Sequence, residues 1–321
     1  MKRCAKENDN QVVLVQLMGG LGNQLFQVAA GIEKCNESGF VYLDSRFGNP
    51  RINALGKAEI FSFDIPLIKE APTAELGPLN LWFGKKIHGL AIRSISSKQI
   101  FISNLTEKAL TLINLRRFGK HLPTFVPSDL GWDERFDKFS KGYILGYCQS
   151  YRYSSNAIAR VKKMKLKNPS STFLALREEM IGINPIVMHV RRGDYRQEKN
   201  FGVLTIEYYV EAQRQYQSRY GRRPIWLFSD SAEGKEILEF YDALHVTKFL
   251  DSNSLSTPET FELMRHGKGF IIGNSSFSWW AAMLAYEPKT PVFAPNPWFK
   301  IGKSPEQLLP LQWHKVEASF E

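Results

Sequence analysis

His189-Val190-Arg191-Arg192-Gly193-Asp194 sets an imidazole, two guanidinium groups and a carboxylate directly after the apolar run Pro185-Ile186-Val187-Met188. The run reads as a buried strand, and the end of such a strand is where α/β proteins hold ligands. Side chains alternate along a strand, so His189 and Arg191 are expected on one face, with the turn at Gly193 re-aiming Arg192 and Asp194 into the crevice. Guanidinium forks match phosphate oxygens bidentately and stay charged at any working pH, and each hydrogen bond to a charged group contributes roughly 1.5–3 kcal/mol. The segment is a candidate diphosphate site; the competing reading is a surface Arg-Asp salt bridge.

Two more motifs follow strand-like runs. Gly19-Gly20-Leu21-Gly22-Asn23-Gln24 comes after Gln11–Leu17. Its glycines let backbone approach a ligand, and a helix N-terminus beyond them offers amide donors to an anion. Asp44, at the end of the next strand, stands where a dinucleotide enzyme keeps its ribose-binding acid, so a nicotinamide-dependent oxidoreductase is an alternative. The G-x-G-x-x-G spacing nevertheless fails at Leu25, and the amides of Asn23 and Gln24 suit hydroxyls or phosphate. Gly273-Asn274-Ser275-Ser276-Phe277-Ser278 clusters hydroxyls at a predicted helix start, either an anion site or simple capping. Asp230, between Ser229 and Ser231 at a further strand end, is placed either to accept from guanine N1 and N2 or to cap the helix after it.

These residues need a scaffold of repeated strand-helix units. Gln11–Leu17, a helix from Asn23 to about Asn36 and the strand Phe40–Asp44 open as β-α-β. Residues 50–140 are irregular, with the strand Gly142–Tyr147 after them and a Lys-rich linker candidate ending at Asn168–Ser171. Then come the strand at 185–190, a helix at 205–220, the strand Ile225–Phe228, a helix at Ala232–Tyr241, an extended His245–Leu250, a helix opened by Ser256-Thr257-Pro258-Glu259, the strand Gly269–Gly273 and a helix from Ser275 to Tyr286. Such alternation implies parallel sheets covered on both faces. The expected architecture is α/β, two Rossmann-like domains facing across a cleft. Residues 1–166 form a first domain, where a variable substrate would be read, and 167–321 a second that carries the candidate diphosphate segment, the last residues being free to return to the first.

At 321 residues with 43% hydrophobic composition the chain can fill two cores. It has no apolar run of membrane-spanning length and a polar start, which predicts a cytoplasmic protein. Cys4, Cys35 and Cys148 fit no zinc spacing. The formal charge of +10 concentrates at 85–121 and 152–167, favouring either solvated helix faces or an anionic partner such as a lipid surface. A basic RNA-binding protein is a further alternative, although no RNA-module signature occurs.

Gly19-Gly20-Leu21-Gly22-Asn23-Gln24-Leu25-Phe26-Gln27, Tyr147-Cys148-Gln149-Ser150, His189 to Tyr195, Leu227-Phe228-Ser229-Asp230-Ser231 and Gly273 to Ala282 together resemble glycosyltransferase family 11, the α-1,2-fucosyltransferases of bacterial type. The resemblance runs from about residue 12 to 299 and is weak between 50 and 140. It implies a GT-B-like fold and transfer of L-fucose from GDP-β-L-fucose, with inversion, to a galactose 2-hydroxyl in surface polysaccharide synthesis. It implies that Arg191 and Arg192 bind the diphosphate, His189 and Asp230 (with Ser231) the guanine side, and Asn274, Ser275, Ser276 and Phe277 further parts of the donor. Gly20, Gly22, Asn23 and Gln24 reach the donor from the other domain.

No Asp-x-Asp occurs in the sequence, so the expectation is a reaction without metal or other cofactor in which arginines and helix N-termini stabilise the leaving diphosphate. Asp194, on the same turn, is the candidate general base, against the competing reading of a structural carboxylate that orients Arg191 or Arg192; Glu198 and a phosphate oxygen of the leaving group are the alternatives. The expected partners are GDP-fucose and a galactose-containing glycan, lipid-linked or not, with no nucleic acid. The basic stretches are available for peripheral contact at the inner face of the cytoplasmic membrane.

Overall fold

The structure, a computed structural model, describes residues 12–35, 39–46, 48–71, 86, 107–109, 123–196, 200–231, 240 and 242–321. The chain divides into two compact units: residues up to Lys165 with Pro305–Leu308, and Leu166–Ser304 with Leu309–Glu321.

The first unit holds a parallel sheet. β1 (Val12–Gln16) leads through the glycine turn into α1 (Leu21–Glu33), then β2 (Phe40–Asp44), β3 (Ile68–Glu70), β4 (Thr124–Phe125) and β5 (Gly142–Ile144). Their spatial order is β3-β2-β1-β5-β4. β1 is a near-continuous apolar run because both faces of the sheet are covered, and Val13 and Val15 are fully buried. α1 lays Leu25, Phe26, Val28, Ala29 and Ile32 into the core, and the carbonyls of Ile32 in its last turn and of Cys35 just beyond its end accept from the Arg160 guanidinium at 2.8 and 3.0 Å.

The second unit runs α2 (Ser171–Ile183), β6 (Ile186–Val190), α3 (Ile206–Tyr220), β7 (Ile225–Ser229), β8 (Lys248–Leu250), α4 (Thr257–Met264), β9 (Gly269–Ile272), α5 (Ser276–Met283), β10 (Val292–Asn296) and β11 (His314–Glu317). The sheet order is β8-β7-β6-β9-β10-β11, all parallel. α3 sets Tyr208, Tyr209, Ala212 and Tyr216 at helical spacing against Ile186, Met188, Val190 and Ile271; each of those four aliphatic side chains contributes about 1.5–3 kcal/mol by its burial. α4 starts where the sequence places it, after Ser256 with Pro258 in its first turn, and the structure adds a capping box between Ser256 and Glu259.

Strand order reverses between β1 and β5 in the first sheet, and between β6 and β9 in the second. At such a reversal neighbouring connections leave in opposite directions, opening a crevice beyond the carboxyl ends of the two strands.

The sequence reading misses α2, whose start serves there as a linker: Ser170 caps it, its Oγ accepting from Phe173 N–H at 3.1 Å. It also misses β10, disguised by Pro295, and β11, where only Val316 of His314-Lys315-Val316-Glu317 is apolar. The expected Ala232–Tyr241 helix, Cys4 and most of the basic 85–121 stretch lie outside the described residues. Cys35 and Cys148 are buried free thiols. Among the described residues no helix is long and apolar enough to cross a membrane.

Candidate functional site

The crevice of the second sheet gathers the segments after β6, β7 and β9. His189 lies opposite Ile272 in the β6-β9 register, buried, with its ring 5.8 Å from that of Phe277 on α5. Its Nδ1 has no hydrogen-bond partner among the described residues. Burial pushes the imidazolium down to about 4, opposed by the Asp230 carboxylate and reinforced by the Arg191 cation, so the ring is neutral at physiological pH.

Asp230, just past β7, organises the next residues. One carboxylate oxygen accepts the backbone N–H of Arg192 at 2.9 Å and of Gly193 at 3.3 Å, and the other lies 3.2 Å from Arg191 Nη1. Burial alone would raise this carboxyl, but the Arg191 cation and the two amides outweigh it and hold it below the usual range. Gly193 is required by this approach, since a Cβ there would sit 2.5 Å from the Asp230 carboxylate. The Arg-Asp pair anticipated as a bland reading therefore exists, with Asp230 as its acid. Three of Asp230's bonds go to the turn itself, not to a free edge awaiting a base.

The two arginines part company. Arg191 extends over the Tyr195 ring, 5.3 Å from its centroid. Arg192 is buried, and its Nη2 lies 2.6 Å from Glu321 Oε1, because the chain at 319–321 runs beside 203–205. The expectation that the turn re-aims Arg192 into the crevice is corrected: its guanidinium is committed within the unit, and Arg191 is the cation at the rim. Asp194 opens a short 3-10 turn, Asp194–Arg196, and its side chain and all of Glu198 lie outside what the structure describes.

After β9, Asn274 Nδ2 donates to the carbonyls of Phe201 and Gly202 at 3.0 and 3.1 Å, and Tyr195 donates to the Asn274 carbonyl at 3.1 Å. These bonds tie the loops after β6 and β9 together. Asn274 Oδ1, also buried, has no partner among the described residues. Ser275 caps α5, its Oγ accepting from Phe277 N–H at 3.3 Å, and Ser278 bonds back to the Ser275 carbonyl at 3.2 Å. Capping thus occupies Ser275, while half-buried Ser276 and Phe277 stand at the first turn of α5. Trp279 and Trp280 are core. Ser231 is half-buried, its N–H donating to Ser229 Oγ at 3.2 Å.

In the first unit the glycine turn differs from its sequence reading. Gly19 takes φ +66°, and a Cβ there would meet Asn23 Nδ2 at 2.7 Å. Gly20 is the N-cap of α1, and Gly22 is buried in its first turn. Gln24, expected at the donor, is fully buried: its Nε2 donates to the carbonyls of Gly19 and Arg51 at 2.8 and 3.1 Å, and its Oε1 accepts Ile60 N–H at 2.9 Å. It is an internal brace between α1 and residues 51–60. The same segment supplies Glu59, whose Oε2 accepts the Leu21 N–H at 2.8 Å. Asn23 keeps a half-buried side chain, and its Oδ1 accepts from Gln149 Nε2 at 3.1 Å. Asp44 is buried, accepting from the backbone and side chain of Arg46 at 3.1 and 3.4 Å and from Tyr143 at 3.4 Å.

The second crevice therefore brings together His189, Arg191, Asp230, Asn274, Ser276 and Phe277, from three strand ends. Glu59 and Glu321 carry no motif of their own; Gln149, the partner of Asn23, stands in Tyr147-Cys148-Gln149-Ser150 after a strand, with no role assigned to it there.

The chain is 26% identical over 300 residues to an alpha-1,2-colitosyltransferase of Escherichia coli, covering 90% of this chain and 93% of that protein. It is 25% identical over 308 residues to the O-antigen biosynthesis glycosyltransferase WbnK of Escherichia coli, covering 92% and 98%. Among solved structures, the ADP-heptose lipopolysaccharide heptosyltransferase II of E. coli superposes with a TM-score of 0.50 at 12% identity, covering 95% of this chain and 90% of that one, a likeness of fold. The family model for glycosyl transferase family 11 matches residues 133–310, spanning β5, the Asp230 turn and both crevice loops of the second sheet. With more than half of its length matched by that model, the chain belongs to glycosyl transferase family 11.

Proposed function

We propose that this glycosyltransferase moves L-fucose from GDP-β-L-fucose to the 2-hydroxyl of a galactoside, with inversion and without a metal, in the assembly of a surface polysaccharide. The observation that carries the reading is the Arg191 guanidinium, held at the second crevice by Asp230 beside two buried polar atoms with no protein partner among the described residues, His189 Nδ1 and Asn274 Oδ1. A nucleoside diphosphate meets all three needs: phosphate oxygens for the cation, and donors or acceptors for the two orphans.

In the step itself the acceptor hydroxyl oxygen bonds to the sugar's anomeric carbon as the bond from that carbon to the diphosphate oxygen breaks. The electron pair leaves with GDP and the hydroxyl proton passes to a base. The dominant cost is negative charge growing on the departing diphosphate, which Arg191 and the α5 N-terminus would stabilise. Asp194, on the same turn, is the proposed base.

A colitosyl donor is the second reading, favoured by the 26% identical colitosyltransferase. Colitose is fucose without its 3-hydroxyl, so the two readings share the leaving group. The test is GDP release and product mass from GDP-fucose and GDP-colitose, with and without galactosides and EDTA. Transfer from GDP-fucose that survives EDTA is expected. Transfer only from another nucleotide sugar, or abolition by EDTA, would overturn the corresponding part.

A further inference from the structure

Asp230 anchors Arg191 through one nitrogen, Nη1, at 3.2 Å. A single contact fixes where that nitrogen sits but not the plane of the guanidinium, whereas bidentate recognition of a phosphate needs the whole planar fork in one orientation. A second restraint comes from Tyr195, in the 3-10 turn that follows Gly193, whose ring centroid lies 5.3 Å from the guanidinium carbon.

Tyr195 is itself gripped. Its hydroxyl donates to the Asn274 carbonyl at 3.1 Å, and its ring meets that of Phe201 at 5.1 Å; Phe201 in turn meets buried Phe299 at 5.2 Å. Asn274 closes the circuit by donating to the Phe201 and Gly202 carbonyls. The segments after β6, β9 and β10 thus converge on one half-buried tyrosine. An aromatic partner for Arg191 has an electrostatic consequence. A second carboxylate would hold the guanidinium as firmly but would cancel its charge and repel a diphosphate. A ring face attracts the cation through its quadrupole, carries no net charge and excludes water from one side of the guanidinium. The positive charge stays available to an anion.

We infer that Tyr195 is a positioning residue: its ring sets the plane of the Arg191 guanidinium for the donor diphosphate, and its hydroxyl ties that plane to the segment carrying Asn274 and Ser276. The inference deepens the proposed transfer and rests on it for the identity of the anion alone.

The test compares Tyr195→Phe, which keeps the ring, with Tyr195→Leu, which removes it, each in the full chain with and without Arg191→Ala. GDP affinity is measured by calorimetry and kcat/KM by GDP release. Tyr195→Leu is expected to lower both by about 5- to 30-fold, as for loss of a partly desolvated cation–π contact, and Tyr195→Phe to recover most of that loss. In the Arg191→Ala background, Tyr195→Leu should change GDP affinity by less than about twofold, because the ring acts through the guanidinium. A full further loss in that background, as from a structural defect or a ring that touches the donor directly, overturns the inference. So does a Leu variant equal to wild type, or a Phe variant as poor as Leu.

A readout without ligand separates this inference from the nucleotide reading. In protein labelled at arginine, the Arg191 side-chain NMR signal, assigned by its absence from Arg191→Ala, should carry a ring-current shift that Tyr195→Phe keeps and Tyr195→Leu loses. If the wild-type protein binds no GDP, the transfer reading fails separately. The Arg191 signal then still decides the positioning: a shift lost only in Tyr195→Leu supports it, and a signal that Tyr195→Leu leaves unmoved refutes it.

Discussion

Replacing Asp230 by Asn separates two roles for the same carboxylate. Read from the sequence, Asp230 recognises guanine; in the structure it templates the Arg191-Arg192-Gly193 turn. At 3.2 Å, with side chains 15% and 20% exposed, the gross attraction between Arg191 and Asp230 is about 5 kcal/mol at an effective dielectric of 20. Desolvation offsets much of that, and the net loss from one charge-assisted hydrogen bond is about 1.5–3 kcal/mol. The amide oxygen of Asn can still accept the Arg192 and Gly193 N–H groups, so the turn survives while Arg191 loses its anchor. Expected is a fall of roughly 10- to 150-fold in kcat/KM. Calorimetry with GDP, IDP and ADP distinguishes the roles. A positioning carboxylate weakens all three alike, because each carries the diphosphate that Arg191 meets. A guanine reader loses GDP selectively over IDP, which lacks the 2-amino group. Selective loss of GDP, or undiminished binding of all three, would refute the templating argument.

The two arginines should behave differently. Arg191→Ala is expected to lower turnover by about 10²-fold or more, measured by GDP release from folded protein, as for loss of one charge-stabilising donor; wild-type turnover would refute its role. Arg192→Ala removes a buried cation paired with Glu321 and should cost about 1–3 kcal/mol of stability, read by urea unfolding; an unchanged midpoint would contradict its burial. Gly193→Ala forces a methyl to within 2.5 Å of the Asp230 carboxylate and should weaken GDP binding without altering any charge; wild-type affinity would show that the turn can yield. Stability should fall as pH drops from about 6.5 to about 4, because His189, buried, and His266, half-buried just after α4 beside the Arg265 cation, are both held neutral and take up protons only on unfolding. Above 6.5 both states are unprotonated and the contribution is complete. A melting temperature that stays flat across that window would argue against both histidines being held neutral in the fold.

The strand-end placement of His189, Asp230 and Asn274 was legible because parallel strands are continuous apolar runs and their exits are polar. The strand order was not legible, since nothing local says that β9 returns to the far side of β6. Roles failed where a side chain's partner lies far along the chain: Arg192 meets Glu321, Gln24 meets Ile60, and Leu21 meets Glu59. Residues 48–60 looked irregular because they form no long element. They nonetheless wrap the glycine turn through the Arg51 N–H to Gly19 carbonyl bond at 2.8 Å.

These partners also decide between the two nucleotide readings of the first unit. A nicotinamide enzyme needs the pyrophosphate on the amides of α1 and a β2 acid open to ribose hydroxyls. Here Glu59 already bonds the first amide, and Asp44 is 1% exposed, spent on Arg46 and Tyr143. Seating a dinucleotide would require evicting one carboxylate and unburying another, so the glycine turn alone is no sign of that chemistry. The second unit has the opposite electrostatics at its reversal. There the acid, Asp230, stands behind a cation instead of on a helix start, and the first turn of α5 is met by serine hydroxyls, not a carboxylate. Each unit considered by itself, an anionic ligand is favoured only at the second crevice.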